Sequence, residues 1–186
     1  MKKLVIVGAG GFGRETAWLL ERINAIEKEW DLLGFADDTP ELTGKMVNGY
    51  PVLGTTEWLK NQKDDIHVLC AVGSAKTRKK IVSRLGNVKY ATLIDPGVIL
   101  SDSVKIGKGS IICAGSILTV NIQIGSHVII NLDCTIGHDA VMKDYVTLYP
   151  SVNISGNTLL NECVEMGTGS KIIEKKTVGE NSIVGS

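Results

Sequence analysis

Counting in sixes from Ile94, every position is aliphatic or Met: Ile94, Leu100, Ile106, Ile112, Leu118, Ile124, Ile130, Ile136, Met142, Leu148, Ile154, Leu160, Met166, Ile172, Val178 and Val184. The residue four places later is small or β-branched throughout, from Val98 and Val104 through Cys134 and Ala140 to Ser182, and only Lys176 breaks that column. Glycine recurs directly after the aliphatic residue at Gly107, Gly125, Gly137, Gly167, Gly179 and Gly185, where a corner is expected to need a residue without a Cβ. Each hexad therefore reads as one short strand plus one corner. Such strands cannot bury a face alone, so they must stack coil on coil in a quasi-one-dimensional solenoid. An ordinary sandwich of short strands keeps no such fixed step. The last hexad stops at Val184, Gly185 and Ser186. Because solenoids need a cap, a C-terminal tail is expected to be missing after Ser186.

The first ninety residues follow another rule. An apolar run, Leu4 to Val7, leads into Gly8, Gly10 and Gly13 in the spacing G-x-G-x-x-G, then into a helical pattern through Ala17, Leu19, Leu20 and Ile23. A second strand near 32–36 ends in Asp37 and Asp38. Residues 50–54 read as extended, 56–59 as the start of a short helix, and 66–72 as an apolar strand closed by Gly73. A basic helix with Lys76, Arg78, Lys79 and Lys80 runs from there to about Leu85. Strands alternating with helices predict a parallel sheet covered on both faces, a small Rossmann-like α/β domain over 1–90, with the solenoid over 91–186.

Twenty basic residues balance twenty acidic ones in 186, so no global field recruits nucleic acid or an anionic membrane. No stretch approaches the roughly 20 apolar residues that span a bilayer, and the glycine-broken N-terminus is a poor signal peptide, which predicts a cytoplasmic protein without membrane insertion. Cys70, Cys113, Cys134 and Cys163 show no C-x-x-C spacing and lie in apolar contexts. They read as reduced core thiols, and no metal is expected.

The glycine loop offers backbone amides at a helix N-terminus to phosphate oxygens, and an acidic residue at the end of the next strand offers itself to a ribose or base. A dinucleotide such as NAD needs a second mononucleotide-binding half, for which ninety residues leave no room. A mononucleotide fits better. The alternative is a tight strand-to-helix turn with no ligand.

Together the G-A-G-G-F-G loop, the A-D-D strand end, the Y-P-V-L-G segment and the A-V-G-S strand exit, followed by hexapeptide repeats, resemble the bacterial sugar O- and N-acetyltransferases of the hexapeptide-repeat superfamily. These are the sialic acid O-acetyltransferase type and the UDP-4-amino-sugar N-acetyltransferases. The resemblance covers essentially the whole chain. It implies that the solenoid is a left-handed parallel β-helix, and that the protein is a homotrimer with active sites between subunits. It also implies acetyl-CoA as co-substrate and a nucleotide sugar, UDP-linked, as acceptor. Serine acetyltransferases share the β-helix but carry a helical N-terminal domain, unlike this chain. Two other functions stay open: acetylation of a free sugar, sialic acid or an amino acid, and a non-catalytic scaffold.

Acyl transfer from a thioester needs a base for the acceptor's proton, and His serves best near neutral pH. His67 lies in an apolar strand, where a packed or edge role is expected. His127 is expected on the outer surface, in solvent. His138, in I-G-H-D, is expected to point outward from a corner beside Asp139. The resemblance places the base here, followed by an acidic residue and seven residues after an Asn, matched by Asn131. Asp139 would then orient the imidazole. It further implies Gly8, Gly10, Gly11 and Gly13 around the phosphates, Asp37 and Asp38 near the uridine, and Gly73 at the strand exit. Gly156, Gly167 and Gly169 would lie along the pantetheine arm, with Gly156 a candidate oxyanion donor. Phe12 stands where many relatives carry a His. Cys134 belongs to the inward column, so core packing is expected of it rather than covalent catalysis.

Overall fold

The computed structural model describes residues 1–62 and 65–186, with no ligand. The chain divides into two compact units: Met1–Gly73 with Thr77–Ala91, and Ser74–Lys76 with Thr92–Ser186.

The first unit contains β1 (Lys2–Val7), α1 (Gly11–Ile26), β2 (Trp30–Ala36), β3 (Met46–Val47), β4 (Tyr50–Gly54), α2 (Thr56–Lys60), β5 (Ile66–Cys70), β6 (Lys89–Tyr90) and, from Thr77 on, α3 (Ala75–Leu85). The sheet order is β3-β4-β2-β1-β5-β6, parallel except for β3 against β4. Leu4, Val5, Ile6 and Val7 are all buried, as a central parallel strand covered on both faces requires. The chain leaves β1 for β2 on one side and later returns to β5 on the other. The loops after β1, β2 and β5 therefore meet at the point where strand order reverses, the usual crevice for a ligand in open α/β sheets. Those loops carry Gly8 and Gly10, Asp37 and Asp38, and Gly73, and Gly11 and Gly13 open α1 directly after the first of them.

In the second unit the hexads become two-residue strands, from Leu93–Ile94 to Ile183–Val184, in three parallel sheets of six, five and five strands. Each strand pairs with the residues one coil away, Ile111 with Ile129 and Leu118 with Ile136, so one coil is 18 residues. Inward side chains form a continuous core: Ile112, Leu118, Ile124, Ile130, Ile136, Met142, Leu148, Ile154, Leu160 and Met166, with Val128, Cys134, Ala140, Val146, Val152 and Val164 from the second column. Each fully buried Leu or Ile contributes about 1.5–3 kcal/mol. Lys176, the one residue that breaks the column, is exposed.

The corners differ from the sequence expectation. The glycines directly after the aliphatic residue, such as Gly107 and Gly137, do not have positive φ. The left-handed residue lies two places further on, at Asn121, His127, Asp133, Asp139, Tyr145, Ser151, Asn157, Cys163, Lys175 and Asn181, with φ between 54° and 62°, and at Gly109, Gly115 and Gly169. Asn and Asp tolerate this region better than most residues, which accounts for their frequency here. The backbone of each corner is tied to the coil before it, as in Asp139 N–H to Val120 O at 3.0 Å and Asn157 N–H to His138 O at 2.9 Å. Gly107 and Gly137 are needed for another reason. A Cβ at Gly137 would come within 2.7 Å of the Gly156 nitrogen, and one at Gly107 within 2.5 Å of Gly125 backbone, so these glycines permit the coils to stack closely.

Candidate active site

The strand Thr135–Ile136 ends at a corner formed by Gly137, His138, Asp139 and Ala140. Ala140 is turned into the core, and the left-handed conformation of Asp139 turns both its own side chain and that of His138 to the outside. There the His138 Nδ1 lies 2.8 Å from Asp139 Oδ2, with both side chains about half exposed. The other carboxylate oxygen, Oδ1, accepts a hydrogen bond from the Asn121 amide at 3.3 Å. The bond to His138 first, and that to Asn121 next, hold the Asp139 carboxyl below its ordinary pKa. On the coil above, Gly156 lies against the imidazole: a Cβ there would approach Nε2 to 2.6 Å. A half-exposed histidine held at Nδ1 by a carboxylate has Nε2 left to take a proton from a bound nucleophile.

The other β-helix candidates are distributed differently. Asn131 lies at the preceding corner, across the two-residue strand from His138; it is 8% exposed and its Oδ1 accepts from Leu132 N–H at 2.8 Å. Gly167 and Gly169 lie at that same corner two coils above, and Gly156 at the corner of His138. Gly167 stacks on the next coil, with Val184 O 2.9 Å from its would-be Cβ, and Gly169 is the left-handed corner residue at φ 72°.

His127 departs from expectation. It is 2% exposed, not solvated, and its ring is stacked on Tyr145 one coil above at 5.3 Å and 7°, over the space that Gly109 leaves below. Side chains at a corner stack along the helix axis, and an aromatic neighbour one coil away buries what a single hexad would expose. His67 packs edge-on against Trp30 at 5.4 Å. Cys134 is fully buried; burial pushes its thiol up to about 11, and that of Cys70 to about 12.

In the first unit, Gly8 has φ 99° and α1 begins at Gly11. A Cβ on Gly13 would collide with the Gly8 carbonyl, whereas Gly10 faces open space and Gly11 has only the Arg14 guanidinium nearby, at 3.9 Å. Asp37 Oδ2 accepts from Ala9 N–H at 2.8 Å and Oδ1 from Thr39 N–H at 2.9 Å. Burial alone would raise the Asp37 pKa, but the hydrogen bonds from Ala9 and Thr39 hold it below the ordinary value. Asp38 accepts from the Thr56 N–H and hydroxyl and pairs with Arg84 at 2.9 Å. Both carboxylates thus organise the loop first, with lone pairs left over for a ligand. Arg78, one of the cations of the basic helix, is fully buried, with Nη1 donating to Val72 O at 2.6 Å and Gly73 O at 2.9 Å.

Sequence reasoning missed Asn121. Its signal is the 18-residue step: Asn121, Asp139 and Asn157 occupy equivalent corners of successive coils, a pattern that a six-residue count does not separate. Among the described residues no group of three or more His, Cys, Asp or Glu is placed to hold a metal, and no helix is long and apolar enough to cross a membrane.

Residues 3–85 match the family described as the PglD N-terminal domain. The chain is 32% identical over 170 residues to GDP-perosamine N-acetyltransferase of Escherichia coli O157:H7, covering 90% of this chain and 76% of that protein. Among solved structures it resembles the acetyltransferase domain of PglB from Neisseria gonorrhoeae FA1090 in complex with acetyl coenzyme A, with TM-score 0.87 and 31% identity over 100% of this chain and 88% of the other. It also resembles a histidine-to-asparagine variant of perosamine N-acetyltransferase from Caulobacter crescentus in complex with CoA and GDP-perosamine, with TM-score 0.87 and 25% identity over 100% and 87%. The solenoid is accordingly the left-handed β-helix of that fold, and the chain belongs to the hexapeptide-repeat acetyltransferases with a PglD-type N-terminal domain.

Proposed function

We propose that the protein transfers the acetyl group of acetyl-CoA to the amino group of a nucleotide-linked sugar, with His138 as general base. The observation that carries this reading is the corner pair, Nδ1 of the half-exposed His138 at 2.8 Å from Asp139, with Nε2 against Gly156 of the coil above. As the acceptor nitrogen attacks the thioester carbonyl, Nε2 takes its proton and Asp139 stabilises the imidazolium. The carbon–sulfur bond then breaks, and the departing thiolate recovers the proton from His138. No covalent enzyme intermediate is required, and the nearest thiol, Cys134, is buried and held protonated.

The nucleotide is held by the first unit: phosphates at the amides around Gly10 and Gly11, and the base near Asp37 and Asp38. The similarity to enzymes named for or complexed with GDP-perosamine supports a nucleotide sugar and makes guanosine as strong a choice as the uridine expected from sequence. The pantetheine arm runs past Gly156, Gly167 and Gly169. Because Gly156 lies at a different corner from the other two, and Asn131 lies away from His138, one chain does not gather the set. A homotrimer, with a neighbouring subunit completing each site, accounts for this. Exposed Ile99, Ile117 and Val120, on the coils below His138, are apolar surface such a neighbour would cover. Use of acetyl-CoA as the donor supports a cytoplasmic reaction.

The test is release of free CoA thiol by the purified protein with acetyl-CoA and a panel of GDP- and UDP-linked 4-amino sugars, free sugars, sialic acid and amino acids. Turnover confined to nucleotide-linked amino sugars is expected. Turnover only with free sugars or amino acids would overturn the reading of the first unit.

A further inference from the structure

The carboxylate that holds His138 is itself held from the coil below. Asn121 and Asp139 occupy equivalent left-handed corners 18 residues apart, with φ 57° and 59°. The Asn121 amide nitrogen lies 3.3 Å from Oδ1 of Asp139, and Oδ2 lies 2.8 Å from Nδ1 of His138. Asn121 is fixed in turn, its backbone N–H donating to Ser103 Oγ at 2.8 Å, and Asp139 N–H donates to Val120 O at 3.0 Å. Ser103, Asn121 and Asp139 thus form a ladder across three coils that ends on the imidazole. A half-exposed carboxylate has two equivalent oxygens and a broad terminal torsion. A donor that engages one oxygen leaves the other on His138.

We propose that Asn121 is a positioning residue for the reaction: its amide holds Oδ1 of Asp139, so that Oδ2 stays on Nδ1–H of His138 and Nε2 is left unprotonated to receive the acceptor's proton. This rests on the reading of His138 as the base. An amide suits the task because it donates at every pH and adds no charge to the pair. The charged residues of the same corner on other coils are Asp102, two coils below His138 in its column, and Glu174, Lys175 and Lys176 two coils above, with Lys175 paired to Glu174 at 3.4 Å. At about 4.8 Å per coil they lie roughly 10 Å away, and between them the coil above presents only Gly156 and Asn157.

The test uses the full protein labelled with 15N-histidine, which has three histidines, His138 being assigned by the signal lost in His138→Asn. Asn121→Gly keeps the left-handed corner and removes the donor; Asn121→Asp keeps the shape and replaces the donor with a carboxylate. In the wild type, neutral His138 should be the Nδ1–H tautomer. Asn121→Gly should mix the tautomers and lower kcat on the order of 10-fold, with KM for acetyl-CoA changed by less than about twofold. Asn121→Asp sets a second carboxylate beside the pair, favours its protonated form and should carry the acid limb of kcat/KM to higher pH. Wild-type tautomer and pH profile in both variants would overturn the proposal, as would a loss of kcat with an unchanged imidazole signature. If His138→Asn still turns over, the base assignment fails and takes this inference with it. If His138→Asn is inactive while both Asn121 variants behave as wild type, only the inference fails.

Discussion

The imidazole of His138 occupies the space that the missing side chain of Gly156 leaves one coil above, where a Cβ would lie 2.6 Å from Nε2 and 2.7 Å from Cε1. The obstructed atoms are the far end of a flexible side chain, so Gly156→Ala moves the ring rather than the backbone. The variant should fold with a melting temperature near that of the wild type and lose kcat by roughly 10- to 100-fold, since a displacement near 1 Å at a catalytic group has that order of cost. Steady-state kinetics beside thermal unfolding separate the two effects.

Two glycines at the start of α1, Gly10 at its N-cap and Gly13 in its first turn, should behave oppositely. Gly13→Ala drives a Cβ into the Gly8 carbonyl and should destabilise the first unit by about 1–3 kcal/mol, the cost of overpacking. Gly10→Ala meets nothing within 4 Å, at φ −72°, and should leave stability unchanged while weakening nucleotide-sugar binding. Urea unfolding and calorimetric titration with GDP- and UDP-sugars read the pair.

Asp37 links acidity to stability. Its pKa in the folded protein lies below the unfolded value of 3.8, so the unfolded chain binds its proton first as pH falls. The stabilisation is complete above the unfolded value and is lost as pH drops through the folded one. Asp37→Asn should therefore flatten the decline in stability below about pH 5, measured by urea unfolding from pH 6 to pH 3.

Buried thiols are spectators in direct transfer. Cys134→Ala should retain turnover within about twofold and cost about 1–2 kcal/mol for the lost packing and the Sγ contact to Tyr149 O at 3.3 Å. In the native wild type, Cys70 and Cys134 should resist a thiol reagent at pH 8.

The solenoid was plain in the sequence because inward residues obey one rule at one interval: Ile112, Leu118 and Ile124 face the same core and answer to hydrophobicity alone. The corners were less legible because they obey a rule of 18. Whether His127 is bare or covered depends on Tyr145 and Gly109 one coil away, and whether Asp139 has a second partner depends on Asn121. In the first unit, the β1–α1 turn and the strand end at Asp37 follow from local spacing. The burial of Arg78 does not, because nothing in a basic helix marks which cation turns back to cap Val72 and Gly73.

Turnover by His138→Asn, measured with the nucleotide-linked amino sugar that the wild type accepts, bears most directly on the assignment of the base. Asn keeps a polar side chain at the corner and cannot take a proton at working pH. With His138 as the base, kcat should fall at least about 100-fold, the lower range of what a general base contributes, with acetyl-CoA binding and the oligomer unchanged. Turnover within a few-fold of the wild type would contradict it.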